Sequence, residues 1–330
     1  MLILAKAAMA MMLGFILSII SGLILIPLLK KKKIGQFVSS LINVRHQKKS
    51  GTPTMGGIIF IIPVYITILL LLIRGSIHFS YNLGIVLFVF TAYAALGFVD
   101  DYLKVYKKNN KGISTVTKFL VQMFIALVFF YLYLKGGGEA TITMSLFNIS
   151  LEFSYLFGMF ILVVLLGTTN AVNITDGLDG LAGSLSLIAF LSYGIIAWNC
   201  GWLVGYEEIA IFCFTLVGSL MGFLVFNTHP AKVFMGDLGS LALGGALASI
   251  AIITKHEFSL VLIGGVFVIE TLSSLIQIIA IRQFKTKIFK KAPIHHHFEE
   301  IGWEEGDILR LFLVIGLMLS MLAITYGVWL

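Results

Sequence analysis

The chain has 330 residues, of which 59% are hydrophobic and 12% charged, and its mean hydropathy is +1.02. A soluble globular domain does not have that balance, so lipid is the solvent for most of this protein. The net charge of +7 raises the question of nucleic acid, but in a membrane chain the placement of basic residues outweighs their sum, and no nucleic-acid partner is expected.

Apolar stretches long enough to cross a hydrocarbon core recur along the whole sequence. Hydropathy places ten helices, near 3–29, 54–73, 81–99, 117–134, 154–169, 178–198, 208–226, 238–254, 258–281 and 308–329, giving an all-α, polytopic fold in a single transmembrane domain spanning 1–330. The first run is too long for the apolar core of a signal peptide and ends without a small-residue cleavage site, so it reads as a retained span. The segment 135–153, with Gly136 to Gly138 and then alternation through Thr141, Thr143 and Ser145, reads as a short external β-hairpin. Cys200 and Cys213 lie in or beside spans, far from the histidine cluster, and support neither a disulfide framework nor a zinc site.

An even number of spans puts both termini on one side. The loops after the odd-numbered spans hold nineteen of the 23 basic residues, among them Lys30 to Lys33, Lys104, Lys107 and Lys290, whereas the other side holds Lys6, Arg74, Lys135 and Lys255. The positive-inside rule therefore makes the rich loops cytoplasmic and both termini extracytoplasmic.

Unneeded polar groups are expensive in lipid, so chemistry is sought where acids, amides and imidazoles collect. They collect in the basic loops: VRHQKKSGTPTMGG at 44–57, GFVDDYLKV at 97–105, NAVNITDGLDGLAG at 170–183, FNTHPAKVFMGDLGS at 226–240 and KKAPIHHHFEE at 290–300. Asp100 and Asp101 close the third predicted span; two acids at a helix C-terminus require a compensating cation, from a lysine or a metal. Asn173, Asp176 and Asp179 recur every three residues and share a face if that stretch is helical. Asp237, between Gly236 and Gly239, reads either as a helix cap or as a metal ligand. His295, His296 and His297 diverge on any regular element, which argues against joint chelation; beside Lys290 and Lys291 they suit phosphate oxygens. Glu270 is an acid predicted well inside a span, with Gln277 as a candidate partner. GTPTMGG lacks the lysine of a P-loop.

Together these segments resemble the phospho-N-acetylmuramoyl-pentapeptide transferase family, within the superfamily of polyprenyl-phosphate N-acetylhexosamine 1-phosphate transferases. The resemblance runs through nearly the whole chain and rests on five motifs in the family's order. It implies a Mg²⁺-dependent enzyme of the bacterial inner membrane, its active site on the cytoplasmic face. UDP-N-acetylmuramoyl-pentapeptide would react with undecaprenyl phosphate, giving lipid I and UMP for peptidoglycan synthesis. It further implies catalytic roles for Asp100, Asp101, Asp176 and the three histidines, Asp237 as the magnesium ligand with Asp176 as a second candidate, and Lys49, Asn173, Leu178, Asp179 and Phe234 in substrate binding, as well as membrane lipids and a second copy of the chain as partners. One departure stands in the first cytoplasmic loop, where Asn43, Val44 and Arg45 precede His46 in place of the usual Gly-Pro-x-Ser run. The alternatives are a related transferase using UDP-N-acetylglucosamine, or a transporter. Acids gathered at helix ends on one side, rather than near the midplane of two repeated halves, weigh against the transporter. A phosphate monoester is largely dianionic at neutral pH, which favours direct attack by the lipid phosphate over an aspartyl-phosphate intermediate.

Overall fold

The computed structural model describes residues 3–32, 51–107, 111–144, 149–152, 155–199 and 206–329. Lys49 and His46 in the first loop, Ser145 in the hairpin segment and Cys200 lie outside them. Within the described residues the helices are α1 (Ile3–Lys31), α2 (Ile58–Ile73), α3 (Tyr81–Tyr106), α4 (Thr115–Lys135), α5 (Tyr155–Thr175), α6 (Leu181–Asn199), α7 (Glu207–Asn227), α8 (Gly236–Ile253), α9 (Glu257–Ile263), α10 (Gly265–Ile279), α11 (Ile294–Glu300) and α12 (Glu305–Trp329). The expected β-hairpin is present as β1 (Thr141–Met144) and β2 (Ile149–Glu152), antiparallel, with Thr141 opposite Glu152 and Met144 opposite Ile149. Among the described residues, nine helical stretches are long and apolar enough to cross a bilayer, and α2 is a shorter apolar helix. The chain is a multi-pass, all-α membrane protein.

The ends of the helices differ from the hydropathy reading in four instructive places. Helix α3 runs to Tyr106 rather than ending at 99, so Asp100 and Asp101 sit inside its last turns and not at its C-terminus. Polar residues continue the helix there because both acids are buried against neighbouring elements. Helix α5 runs to Thr175, which keeps Asn173 helical but leaves Asp176 and Asp179 in the turn before α6, where Gly180 takes a positive φ of 79°. The three do not form one helical face. The ninth predicted span is two helices, α9 and α10, meeting at Gly264. The last span starts earlier than predicted, at Glu305.

Helix α8 is the centre of the bundle. Every residue from Leu238 to Ile253 is buried; its Gly245 lets α3 approach at Tyr93, and its Gly244 and Ser240 let α5 approach at Thr169 and Asn173, as small residues do between helices in lipid. Around it α1, α4 and α12 turn exposed apolar side chains such as Leu23, Phe124 and Met318 outward, as a lipid-facing ring requires. At one end of α8, Lys255 donates to the Glu139 and Thr141 carbonyl oxygens and sits 5.2 Å from the Phe157 ring and 5.5 Å from Tyr133, which fastens the hairpin to the bundle. At the same end Lys6 pairs with Glu207 at 2.5 Å. The other end of α8 carries Asp237.

Candidate active site

Two backbone approaches place Asp237. The N-terminus of α8 lies so close to α3 that a side chain at Gly97 would run into the Asp237 carbonyl oxygen. On the other flank the 53–57 loop pairs with the irregular segment before α8: Phe234 N–H donates to the Pro53 carbonyl at 2.8 Å, and Gly56 and Gly57 donate to the Phe234 and Met235 carbonyls at 2.8 and 2.9 Å. GTPTMGG is thus a brace for α8. Gly236 takes φ of +74° at the start of the helix, a conformation that favours glycine, and packs against the Asp101 carboxylate and Thr54.

These approaches gather four acids from three elements. Asp101 accepts from the Leu238 N–H at 3.0 Å. Asp100 accepts from the Ile113 N–H at 2.7 Å and from Lys104 at 2.6 Å. Asp237 receives Lys118 at 2.6 Å, Lys104 at 3.2 Å and the Asn173 amide at 3.0 Å, and that amide also donates to Ser240 at 2.8 Å. Asp176 takes the Gly236 N–H. Its carboxyl is held well above the ordinary carboxylate range, first by burial and then by the negative charges of Asp237, Asp101 and Asp179. Oxygens of Asp100, Asp101 and Asp237 lie within 4.8 Å of one another. Such a cluster demands cations, and two lysines already answer part of that demand. Three hard carboxylate donors at this spacing suit a divalent ion of the oxygen-seeking class.

A second cluster adjoins the first through the turn that carries Asp176. Leu178 and Asp179 are both buried there. The Asp179 carboxylate takes His229 Nδ1 at 3.1 Å and the Ala231 N–H at 3.0 Å, while its own N–H donates to Glu305 at 2.6 Å. Phe234, half-buried, follows shortly on the same connection between α7 and α8.

The three histidines lie on the short helix α11 and diverge as their spacing requires. His295 is buried with Nδ1 2.9 Å from Glu270 Oε2. His296 is half-buried, 2.6 Å from Glu299, and burial holds its imidazole below the usual histidine range despite that carboxylate. His297 Nδ1 accepts the Lys290 N–H at 3.1 Å. Glu270 therefore pairs with His295 and not with Gln277, which instead clamps Ile288 and Phe289 through three hydrogen bonds. A partner from another element was available to each, and i to i+7 on one helix is a longer reach.

Lys104, just after the two acids, is one of the lysines that could supply their compensating cation, whereas Lys118 reads in the sequence only as a marker of a cytoplasmic loop, its one signal a lysine in the first turn of an apolar helix. Ser240, His229 and Glu305 carried no local signal, because their partners lie in distant segments.

Comparison with known proteins agrees with this geometry. Residues 83–255 match the family model described as glycosyl transferase family 4, and residues 49–61 match phospho-N-acetylmuramoyl-pentapeptide-transferase signature 1. The signature covers the brace loop, and the broader model covers every acid of the first cluster. Proteins named phospho-N-acetylmuramoyl-pentapeptide-transferase are similar over nearly their full length. That of Geobacillus sp. (strain WCH70) is 44% identical over 97% of this chain and 98% of its own. The Bacillus licheniformis protein is 45% identical over 96% of each, and the Bacillus subtilis protein 44% over 97% of each. Motif order, buried acid cluster and full-length similarity place the chain in the phospho-N-acetylmuramoyl-pentapeptide-transferase family.

Proposed function

We propose that this chain transfers phospho-N-acetylmuramoyl-pentapeptide from its UDP conjugate to undecaprenyl phosphate, producing lipid I and UMP for peptidoglycan synthesis at the cytoplasmic face of the bacterial inner membrane. The observation that carries this reading is full-length membership of the family together with a lysine-neutralised acid cluster at one end of a spanning bundle. An oxygen of the lipid phosphate forms a bond to the sugar-bearing phosphorus of the donor. The bond from that phosphorus to the bridging oxygen breaks, and UMP leaves with the electron pair. Because one phosphoanhydride replaces another, the protein's task is to bring two anions together and to hold charge on the transferring group.

Lys104 and Lys118 supply fixed positive charge beside Asp237. Asp100, held by Lys104 and the Ile113 N–H, orients the acceptor phosphate or takes its remaining proton. Leu178, Asp179 and Phe234 line the side on which the uridine is bound, and Lys49, which lies outside the described residues, is assigned to substrate binding by its place in the sequence motif. His296, half-buried beside Lys291, faces the donor's phosphate or sugar. Asp100, Asp101 and Asp237 fit Mg²⁺, with Asp176 next to them. A magnesium ion held by these carboxylates would supply positive charge to offset the donor diphosphate's repulsion from the lipid phosphate.

The test is UMP release by the purified chain in Mg²⁺ with undecaprenyl phosphate and either UDP-N-acetylmuramoyl-pentapeptide or UDP-N-acetylglucosamine. Turnover with the first donor is expected. Preference for the second would move the chain to the wider superfamily's chemistry, and turnover with neither would end the reading.

A further inference from the structure

Glu270 has no assigned part in the transfer, and its buried pair with His295 has the geometry of a supported catalytic imidazole. Both side chains are cut off from solvent. A carboxylate can only accept, so His295 Nδ1, 2.9 Å from Glu270 Oε2, carries a proton and donates it. Nε2 is then left as the ring's remaining nitrogen. It is buried without a hydrogen-bond partner, and it lies against Gly177, where any added Cβ would meet the ring edge. Gly177 follows Asp176 in the turn that joins the two acid clusters. An unpaired buried polar atom is costly, and this one lies against the turn that joins the two acid clusters.

The rest of α10 keeps the ring there. Ser273, one turn beyond Glu270, accepts the Ile294 N–H at 2.9 Å, and Gln277, one turn further, holds Ile288 and Phe289. Three polar residues on one face of a membrane helix thus bind the segment that delivers α11. Lipid makes each of them expensive unless it is used.

We propose that Glu270 is a positioning residue for the transfer: it fixes the tautomer and aim of His295, so that the lone pair on Nε2 is presented at the Asp176–Gly177 turn to accept a hydrogen bond from an O–H of the bound substrates. The proposal rests on the transferase reading, and wild-type turnover in the same assay tests that reading separately.

The decisive experiment is a double-mutant cycle with Glu270→Gln, which keeps shape and an acceptor but removes the charge, and His295→Ala. Glu270→Gln alone should lower kcat by about 10- to 100-fold, the range seen when an outer partner of an active imidazole is lost, with KM for the UDP donor changed less than about threefold. In the His295→Ala background the same change should have almost no further effect, because the glutamate acts through the ring. Unchanged kcat in Glu270→Gln, or losses that multiply in the double variant, would overturn the proposal. Should Glu270→Gln fail to fold, Gly177→Ala disturbs the ring from the opposite side without touching α10. A loss of kcat there supports the role, and wild-type kcat there overturns it.

Discussion

Asp237 shows how much depends on one carboxylate. Its two oxygens are shared among Lys118, Lys104 and Asn173, so Asp237→Asn removes the charge that two lysines answer while keeping most of the side chain's size. Turnover should fall by about 10²- to 10³-fold, as for loss of a single preorganised electrostatic group, or the Mg²⁺ midpoint should rise steeply; a magnesium titration beside a thermal melt separates this from unfolding. Asp176 behaves oppositely in stability. Its folded-state affinity for a proton is raised, so its contribution to stability is largest below the ordinary carboxylate range and is lost as pH rises towards the folded value. In EDTA at pH 8, Asp176→Asn should therefore melt at a higher temperature than wild type while losing activity, a difference that disappears near pH 4. Asp100 tests the mechanism: with donor alone, mass spectrometry of the wild type should find no phospho-sugar on it, and Asp100→Asn should slow turnover. An adduct at Asp100 that reacts with added lipid phosphate would contradict direct attack.

At the scale of elements, the crossing of α3 over α8 is set by Gly97. Gly97→Ala should cost about 1–3 kcal/mol through overpacking and depress activity further by shifting Asp237. Gly167→Ala on α5, where a new methyl meets nothing within 4 Å, should melt as wild type or slightly above and remain active. Hydropathy located these elements well, because each span needs its own apolar run. It could not see that α3 continues through Asp100, Asp101 and Lys104, since those residues look like a loop until α8 and the 111–114 segment cover them. The break at Gly264 was hidden for a similar reason: an apolar composition on both sides leaves no change in hydropathy. Within the site, the acids were legible from their density at one face. Their partners were not. Lys118, His229 and Glu305 acquire meaning only when separate loops meet, and Glu270 found His295 across an interface rather than Gln277 along its own helix.

For the whole molecule, the asymmetry of nineteen basic residues against four sets the orientation expected in the bilayer. Single cysteines at Lys111 and Arg74, introduced into a Cys200→Ser, Cys213→Ala background, should react differently with a membrane-impermeant maleimide. In intact spheroplasts position 74 should be labelled and position 111 protected until the membrane is opened; the reverse pattern would place the acids outside. The long pairing of α3 with α8 also bears on the order of synthesis. Asp101 obtains the Leu238 N–H, and Lys104 and Lys118 obtain the Asp237 carboxylate, only after eight spans have left the ribosome and entered the bilayer. Until then the acids at the end of α3 stay hydrated, and no partial chain ending before α8 holds them together. Competence therefore arrives in one late event, so a nascent chain has no assembled site until its architecture is nearly whole.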